Sequence, residues 1–189
     1  AGTKWSSVPR HKGDVFVVCN ADEGEPGTFK DRFLLESAPF LVLEGLAVAA
    51  YTVGATRAYI YVRGEYPVAA DQLRAAYARL HERGVLGADG ELELEVDVKT
   101  GGGSYVVGDE TALLNSLMGN RGYPMLKPPF PTESGLWQHP TVVNNVETLA
   151  CVPLIFEKGA EWFKSIGAAS SPGPKLFCVS GHVNDAGVF

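Results

Sequence analysis

The apolar positions change period several times along the chain, and each change marks an element. Asp14 to Cys19 is a short buried strand, Phe-Val-Val-Cys after Asp-Val, that stops at Asn20. An acidic, glycine-bearing loop, Asn20-Ala21-Asp22-Glu23-Gly24-Glu25-Pro26-Gly27, follows. Pro39 opens a helix running to Tyr51, with Leu43, Leu46, Ala47 and Ala50 at helical spacing. Ala58 to Val62 is rich in β-formers and is closed by Arg63-Gly64. From Pro67 a second helix carries Ala70, Leu73, Tyr77 and Leu80 on one stripe. Leu92, Leu94, Val96 and Val98 then alternate with Glu91, Glu93, Glu95 and Asp97, the cleanest period-two signal in the chain.

After Gly101-Gly102-Gly103 a helix is predicted from Asp109 to Met118. Residues 119–140 have no periodicity and contain Pro124, Pro128, Pro129 and Pro131, so they form an ordered lid or a linker. Asn144-Asn145 precedes an apolar helix, Val146 to Phe156. Ser170-Ser171-Pro172-Gly173-Pro174 is a linker signal before a new strand from Leu176 to Val179. Strands alternating with helices predict an α/β fold with right-handed crossovers. In such sheets ligands bind outside the carboxyl ends of the strands. The loops after Cys19 and Val98 both hold glycines and acids, and should face one crevice.

Composition narrows what that crevice holds. Twenty-two glycines in 189 residues exceed the roughly 13 of average usage, and the excess falls in loops. Sixteen basic against 22 acidic residues give a net charge of −6, poorly suited to a nucleic acid partner. The longest apolar stretch, Phe40 to Val53, carries Glu44 and falls short of the roughly 18 residues of a spanning helix, so no membrane insertion is expected. The start, Ala1-Gly2-Thr3-Lys4-Trp5, reads as a piece of something longer. Cys19, Cys151 and Cys178 are scattered in apolar sequence without metal or disulfide spacing, which predicts core filler in a reducing compartment. His11, His81, His139 and His182 stand alone and are expected at the surface or at caps, and no metal site is built from them.

Asp22, Glu23, Glu25, Asp109 and Glu110 accept hydrogen bonds when ionised, which suits sugar hydroxyls, a carboxamide or ring N–H groups and is hostile to phosphate. Gly103 to Thr111 has the glycine spacing of a phosphate-binding loop but puts Asp109 where a lysine is needed. Phosphate must then meet backbone amides and donors such as Lys4, Asn144, Asn145 and Thr148. Two other readings of the acidic loop stay open: a solvated turn, and a magnesium site of Asp22, Glu23 and Glu25.

The run Cys19-Asn20-Ala21-Asp22-Glu23-Gly24-Glu25-Pro26-Gly27-Thr28-Phe29-Lys30-Asp31-Arg32 resembles the NADH-oxidising flavoprotein subunit of respiratory complex I and its relatives in NAD-linked hydrogenases and formate dehydrogenases. The likeness recurs at Arg63-Gly64-Glu65-Tyr66, at Gly102 to Thr111, at Lys127-Pro128-Pro129-Phe130-Pro131 and at Asn144-Asn145-Val146-Glu147-Thr148. The resemblance implies a Rossmann-like, three-layer FMN-binding domain over residues 1–172, its leading glycine-rich loop cut short, and the start of a β-grasp-like domain over 173–189. It implies FMN in the crevice with NADH above it, a hydride passing to the flavin, and electrons leaving for partner iron-sulfur subunits. Lys4, Asn20, Asp22, Tyr105, Gly108, Asp109, Asn144, Asn145 and Thr148 match flavin-contact motifs. Glu23, Glu25, Glu110, Lys127 and Phe130 match positions near NADH, with Glu25 at the catalytic position. The family's 4Fe-4S cluster belongs to a domain beyond Phe189, and the implied location is cytoplasmic, peripheral to the inner membrane through partner subunits. The alternative is a scaffold paralogue that keeps the fold without the cofactor.

Overall fold

A computed structural model describes residues 1–9 and 13–189; His11 lies outside the described residues. In chain order the elements are α1 (Gly2–Ser6), β1 (Phe16–Ala21), α2 (Lys30–Ser37), α3 (Pro39–Val53), β2 (Arg57–Val62) and α4 (Pro67–Glu82). Then come β3 (Leu86–Gly87), β4 (Leu92–Glu93), β5 (Glu95–Thr100), α5 (Glu110–Leu117), β6 (Thr141–Asn145), α6 (Val146–Lys158) and α7 (Ala160–Lys164). Two short antiparallel pairs end the chain, β7 (Gly167–Ala168) with β8 (Ser171–Pro172), and β9 (Cys178–Val179) with β10 (Gly187–Val188).

The central sheet has the order β5-β2-β1-β6, and every pairing is parallel. Parallel neighbours require crossover connections, and a parallel sheet must be covered on both faces. Both conditions are met. Val17, Cys19 and Ala21 of β1 pack with Ile60 and Val62 of β2 against Leu43, Leu46 and Ala50 of α3, Leu73 of α4 and Leu149 of α6. Phe16 and Val18 point the other way, into a second cluster with Tyr61, Val107, Leu113, Leu114, Leu136 and Val143. The result is the α/β fold that the alternation predicts, in the three layers that the resemblance implies.

Helices α3 and α6 meet backbone to backbone. A Cβ on Gly45 of α3 would overlap the carbonyl of Leu149 in α6. That carbonyl is free to face a neighbouring helix because Pro153, four residues on and inside α6, has no N–H to return to it. Proline and glycine thus cooperate across the interface.

Several expectations change. The first strand does not stop at Asn20: Asn20 and Ala21 pair with Tyr61 and Val62, and Asn20 also pairs with Asn145, because strands on both sides continue the ladder. The period-two stretch is one face but two strands. Leu94 N–H donates to the Gly87 carbonyl and Glu95 N–H to that of Thr56, so the chain changes partner at Leu94 while Leu94 and Val96 stay buried. Helix α2 has no counterpart in the periodicity, since only Asp31 and Leu35 of it are buried. The linker signal at 170–174 closes the β7–β8 hairpin instead, with Gly173 seated on Phe163. Of the cysteines only Cys19 is fully buried; Cys151 and Cys178 are half-buried, and Cys178 Sγ accepts from Phe29 N–H at 3.1 Å.

The segment 119–140 is tied down at both ends rather than loose. Asn115 donates to the Tyr123 carbonyl at 2.6 Å, Met125 N–H to Thr111 Oγ1 at 2.8 Å, and Thr141 N–H to the Pro131 carbonyl at 2.8 Å. Among the described residues no single helix is long and apolar enough to cross a membrane; α2 and α3 reach that length together but are bent by 98°.

Candidate functional site

The order β5-β2-β1-β6 places strands added early on one side of β1 and the late strand β6 on the other. The connections leaving β1 and β6 therefore diverge, and a crevice opens beyond their carboxyl ends. A cleft of about 550 Å³ lies there, lined by Asn20, Asp22, Glu23, Gly24, Glu25, Thr28, Lys30, Asp31, Tyr105, Val106, Gly108, Asp109 and Asn145. The loops after β1 and β5 do face each other across it. Asn20 Nδ2 donates to the Gly108 carbonyl at 2.9 Å, and the Tyr105 hydroxyl donates to Glu25 Oε1. Gly24 permits this approach, since a Cβ there would stand 3.2 Å from the Tyr105 ring.

Each acid has a different environment. Glu23 is buried and accepts from Asp31 N–H at 2.9 Å, Arg32 N–H at 3.2 Å and the Tyr66 hydroxyl at 3.1 Å. It satisfies the open amides at the start of α2, a duty that carboxylates serve well at a helix N-terminus. Burial, then the charge and hydrogen bond of Glu23, push the Tyr66 hydroxyl up to about 12. Asp109 caps α5, its Oδ1 accepting from Thr111 N–H at 2.9 Å and Ala112 N–H at 3.2 Å. Burial alone would raise its carboxyl, but the Thr111 and Ala112 bonds outweigh that and hold it low.

Asp22 is the exception. Its N–H donates to Asn20 Oδ1 at 3.1 Å, yet its own Oδ2 is buried with no hydrogen-bond partner among the described residues. Burial raises its carboxyl to about 6, against the pull of Arg63 and with a push from Glu65. A buried acceptor left open is costly unless a donor arrives, and donors from a ligand are what an acid-lined cleft would receive.

The floor of the cleft is an ionic cluster that the sequence pattern does not reveal. Lys30 Nζ lies 2.6 Å from Asp31 Oδ1 and 3.0 Å from Glu147 Oε2, and Asn145 Nδ2 donates to Asp31 Oδ2 at 2.6 Å. Burial disfavours the Lys30 ammonium, but Asp31 and Glu147 outweigh it and raise its pKa. These contacts join α2 to β6 and α6 beside the cleft. The signal for them, Lys30-Asp31 followed far along by Asn145-Val146-Glu147, is legible only once β1 and β6 are known to be neighbours.

A second cleft, about 430 Å³, is lined by Lys4, Glu110, Phe130, Thr132 and Val143 among others. Glu110 is held between Lys4 at 2.8 Å and Lys127 at 2.6 Å, which outweigh burial and lower its carboxyl. Lys4 also donates to the Val143 carbonyl at 2.9 Å, which ties α1 to the edge strand β6. Adjacent residues Asp109 and Glu110 thus serve different clefts. Of the remaining sequence candidates, Asn144 is buried with its Oδ1 accepting from Trp5 Nε1 at 2.8 Å, Asn145 caps α6, and Thr148 is half-buried in the first turn of α6, lining neither cleft. Among the described residues no group of three or more His, Cys, Asp or Glu is arranged to hold a metal.

Relatives agree with this architecture. The chain is 52% identical over 192 residues to an NADH-quinone oxidoreductase subunit of Rhizobium meliloti, covering 100% of this chain and 46% of that protein. It is 44% identical over 191 residues to the NADP-reducing hydrogenase subunit HndC of Solidesulfovibrio fructosivorans, covering 99% of this chain and 39% of that one. Among solved structures, an NAD+-reducing NiFe hydrogenase in its H2-reduced state superposes with a TM-score of 0.92 at 44% identity, over 98% of this chain and 32% of that chain. The chain spans less than half the length of these proteins. Residues 1–154, which include both clefts and the whole parallel sheet, match the Nuo51 FMN-binding domain, and it is to this family that the chain belongs.

Proposed function

We propose that this chain is the FMN- and NADH-binding part of a flavoprotein subunit that oxidises NADH within a larger redox complex. The observation that carries the reading is the buried Oδ2 of Asp22, without a partner among the described residues, in an acid-lined cleft at the switch point of the sheet. FMN, when bound, supplies acceptance of a hydride from NADH and delivery of single electrons to iron-sulfur clusters, including a 4Fe-4S cluster beyond Phe189 and those of partner subunits. That route places the protein at the membrane surface only through its partners. Residues 173–189, with the β9–β10 pair, would begin the β-grasp-like unit on that path.

The chain's own residues bind and orient. Asp22 would meet a donor of the flavin or its ribityl chain, and Asn20 holds the Gly108 carbonyl so that the Gly108–Asp109 backbone forms the opposite wall. Tyr105 donates to Glu25 and holds that carboxylate in the cleft, where it would accept from the nicotinamide carboxamide. The second cleft, with Glu110 clamped by Lys4 and Lys127 and with the exposed ring of Phe130, receives the rest of the dinucleotide. The hydride chemistry calls for no side-chain nucleophile.

Two substitutions separate the roles. Asp22→Asn should lower flavin occupancy, measured by flavin absorbance and titration. Glu25→Gln should leave occupancy intact and slow NADH oxidation about tenfold or more, one charge-assisted hydrogen bond being worth roughly 1.5–3 kcal/mol. Loss of flavin in Glu25→Gln, or unchanged NADH kinetics, would overturn the assignment of Glu25. A wild-type protein that binds no FMN would favour the scaffold alternative.

A further inference from the structure

We propose that Arg63, braced by Glu65 and Tyr66, is the positioning residue of the cofactor loop: by gripping the Glu23 carbonyl it sets where Asp22 stands and how that carboxylate meets the flavin. The inference rests on the FMN reading above and goes beyond it, because Arg63 does not line the large cleft. It lines instead a side pocket of about 80 Å³ behind Asp22, with Gly24, Glu65, Gly103, Ser104 and Tyr105.

The grip is built from several directions. Arg63 follows β2 directly, and its N–H donates to the Ala21 carbonyl at 3.2 Å, so the backbone is fixed against the end of β1. Its Nη1 donates to the Glu23 carbonyl. Its Nε and Nη2 donate to the two oxygens of Glu65 at 3.0 and 2.9 Å, a forked pair that only arginine can make. The guanidinium carbon stands 5.3 Å from the centre of the Tyr66 ring, and the Tyr66 hydroxyl donates to Glu23 Oε2 at 3.1 Å. Glu23 is therefore held at its carbonyl by Arg63 and at its carboxylate by Tyr66 and the α2 amides. Asp22 sits between that anchor and the Asn20 side chain that accepts its N–H. An arginine that clamps the next peptide governs Asp22 without touching a ligand.

Arg63 also acts on the charge of Asp22. The charged groups that share the clefts with Asp22 are Arg63 and Glu65 from the β2–α4 connection, Glu23 and Glu25 from its own loop, Lys30 and Asp31 from α2, and Asp109 ahead of α5. Of these, Arg63 opposes and Glu65 reinforces the effect of burial on the Asp22 carboxyl. Removing Arg63 should consequently have two separate effects, a freed loop and a carboxyl that ionises at higher pH.

The test measures FMN affinity against pH by fluorescence titration, together with hydrogen exchange of amides 22–27 in the ligand-free protein. Arg63→Ala should weaken FMN about tenfold, equivalent to ~1.4 kcal/mol, raise the pH midpoint of binding, and speed exchange at 22–27. Arg63→Lys keeps the charge and loses the fork, so it should return the midpoint toward wild type without restoring affinity; it also carries the comparison if the alanine variant does not fold. In an Asp22→Asn background the Arg63 substitutions should no longer move the midpoint. A lowered melting temperature with unmoved midpoint and unmoved exchange would mean a structural role only and would overturn the proposal. If wild type binds no FMN while exchange at 22–27 still responds to Arg63→Ala, the FMN reading fails and the clamp survives.

Discussion

Asp22 combines two demands that conflict in the ligand-free protein. Its carboxyl is ordinary in the unfolded chain, near 3.9, and stays protonated in the folded protein to about 6. Between about pH 4 and 6 the folded state holds a proton that the unfolded chain has released, so this residue's effect on stability becomes less favourable as pH rises through that window. Above it the cost is complete. Asp22→Asn should therefore stabilise the ligand-free protein by ~1–3 kcal/mol at neutral pH, with the gain disappearing below about pH 4, even as it impairs flavin binding. Denaturant unfolding of both proteins across that range checks the sign. A stability gain that persisted unchanged at low pH would show that charge burial is not the cause. Sequence alone picks out Asp22, Glu23 and Glu25 together because all three are carboxylates in one loop. Their residue types do not show their different environments, since the capping amides of Glu23 come from α2, the hydroxyl partner of Glu25 is Tyr105, and Asp22 Oδ2 has no partner among the described residues.

Among the elements, those with a long, regular apolar stripe are legible from period alone. Helices α3 and α4, each opened by proline, and β2, with its β-branched and aromatic run, stand within a few residues of where the pattern puts them. Helix α2 is not, because it is held by polar contacts: Glu23 at its start, Lys30 to Glu147, and Asp31 to Asn145. Such contacts have no sequence period. The same blindness applies to Gly45, which looks like an unfavourable residue in the middle of a helix until its neighbour is seen. Gly45→Ala, helpful in an isolated helix, should here destabilise by about 1–3 kcal/mol through overpacking against the Leu149 carbonyl. The check is thermal or denaturant unfolding, and a neutral or stabilising result would mean that α3 and α6 separate at little cost.

At the level of the whole molecule, the four-stranded parallel sheet sorts the chain into a stable interior and a responsive front. The centre of β1 and β2 is paired on both sides and covered on both faces, whereas the Gly101–Ser104 turn and the stretch around Leu126, which is 93% exposed, have few such supports. Amide exchange of the ligand-free protein should be slowest in 17–19 and 59–61 and fastest in 102–104 and 126–127, with FMN slowing the loop after β1 and leaving the sheet unchanged. Equal protection of turn and sheet would contradict this ordering. The direct seating of Gly45 on Leu149 has a mechanical meaning as well. With no side chain between them, two helices cannot glide past one another, because any displacement drives a carbonyl into the flanking side chains instead of along a compliant layer. The rear of the domain is therefore stiff where α3 meets α6, and ligand-driven movement is left to the loops at the front.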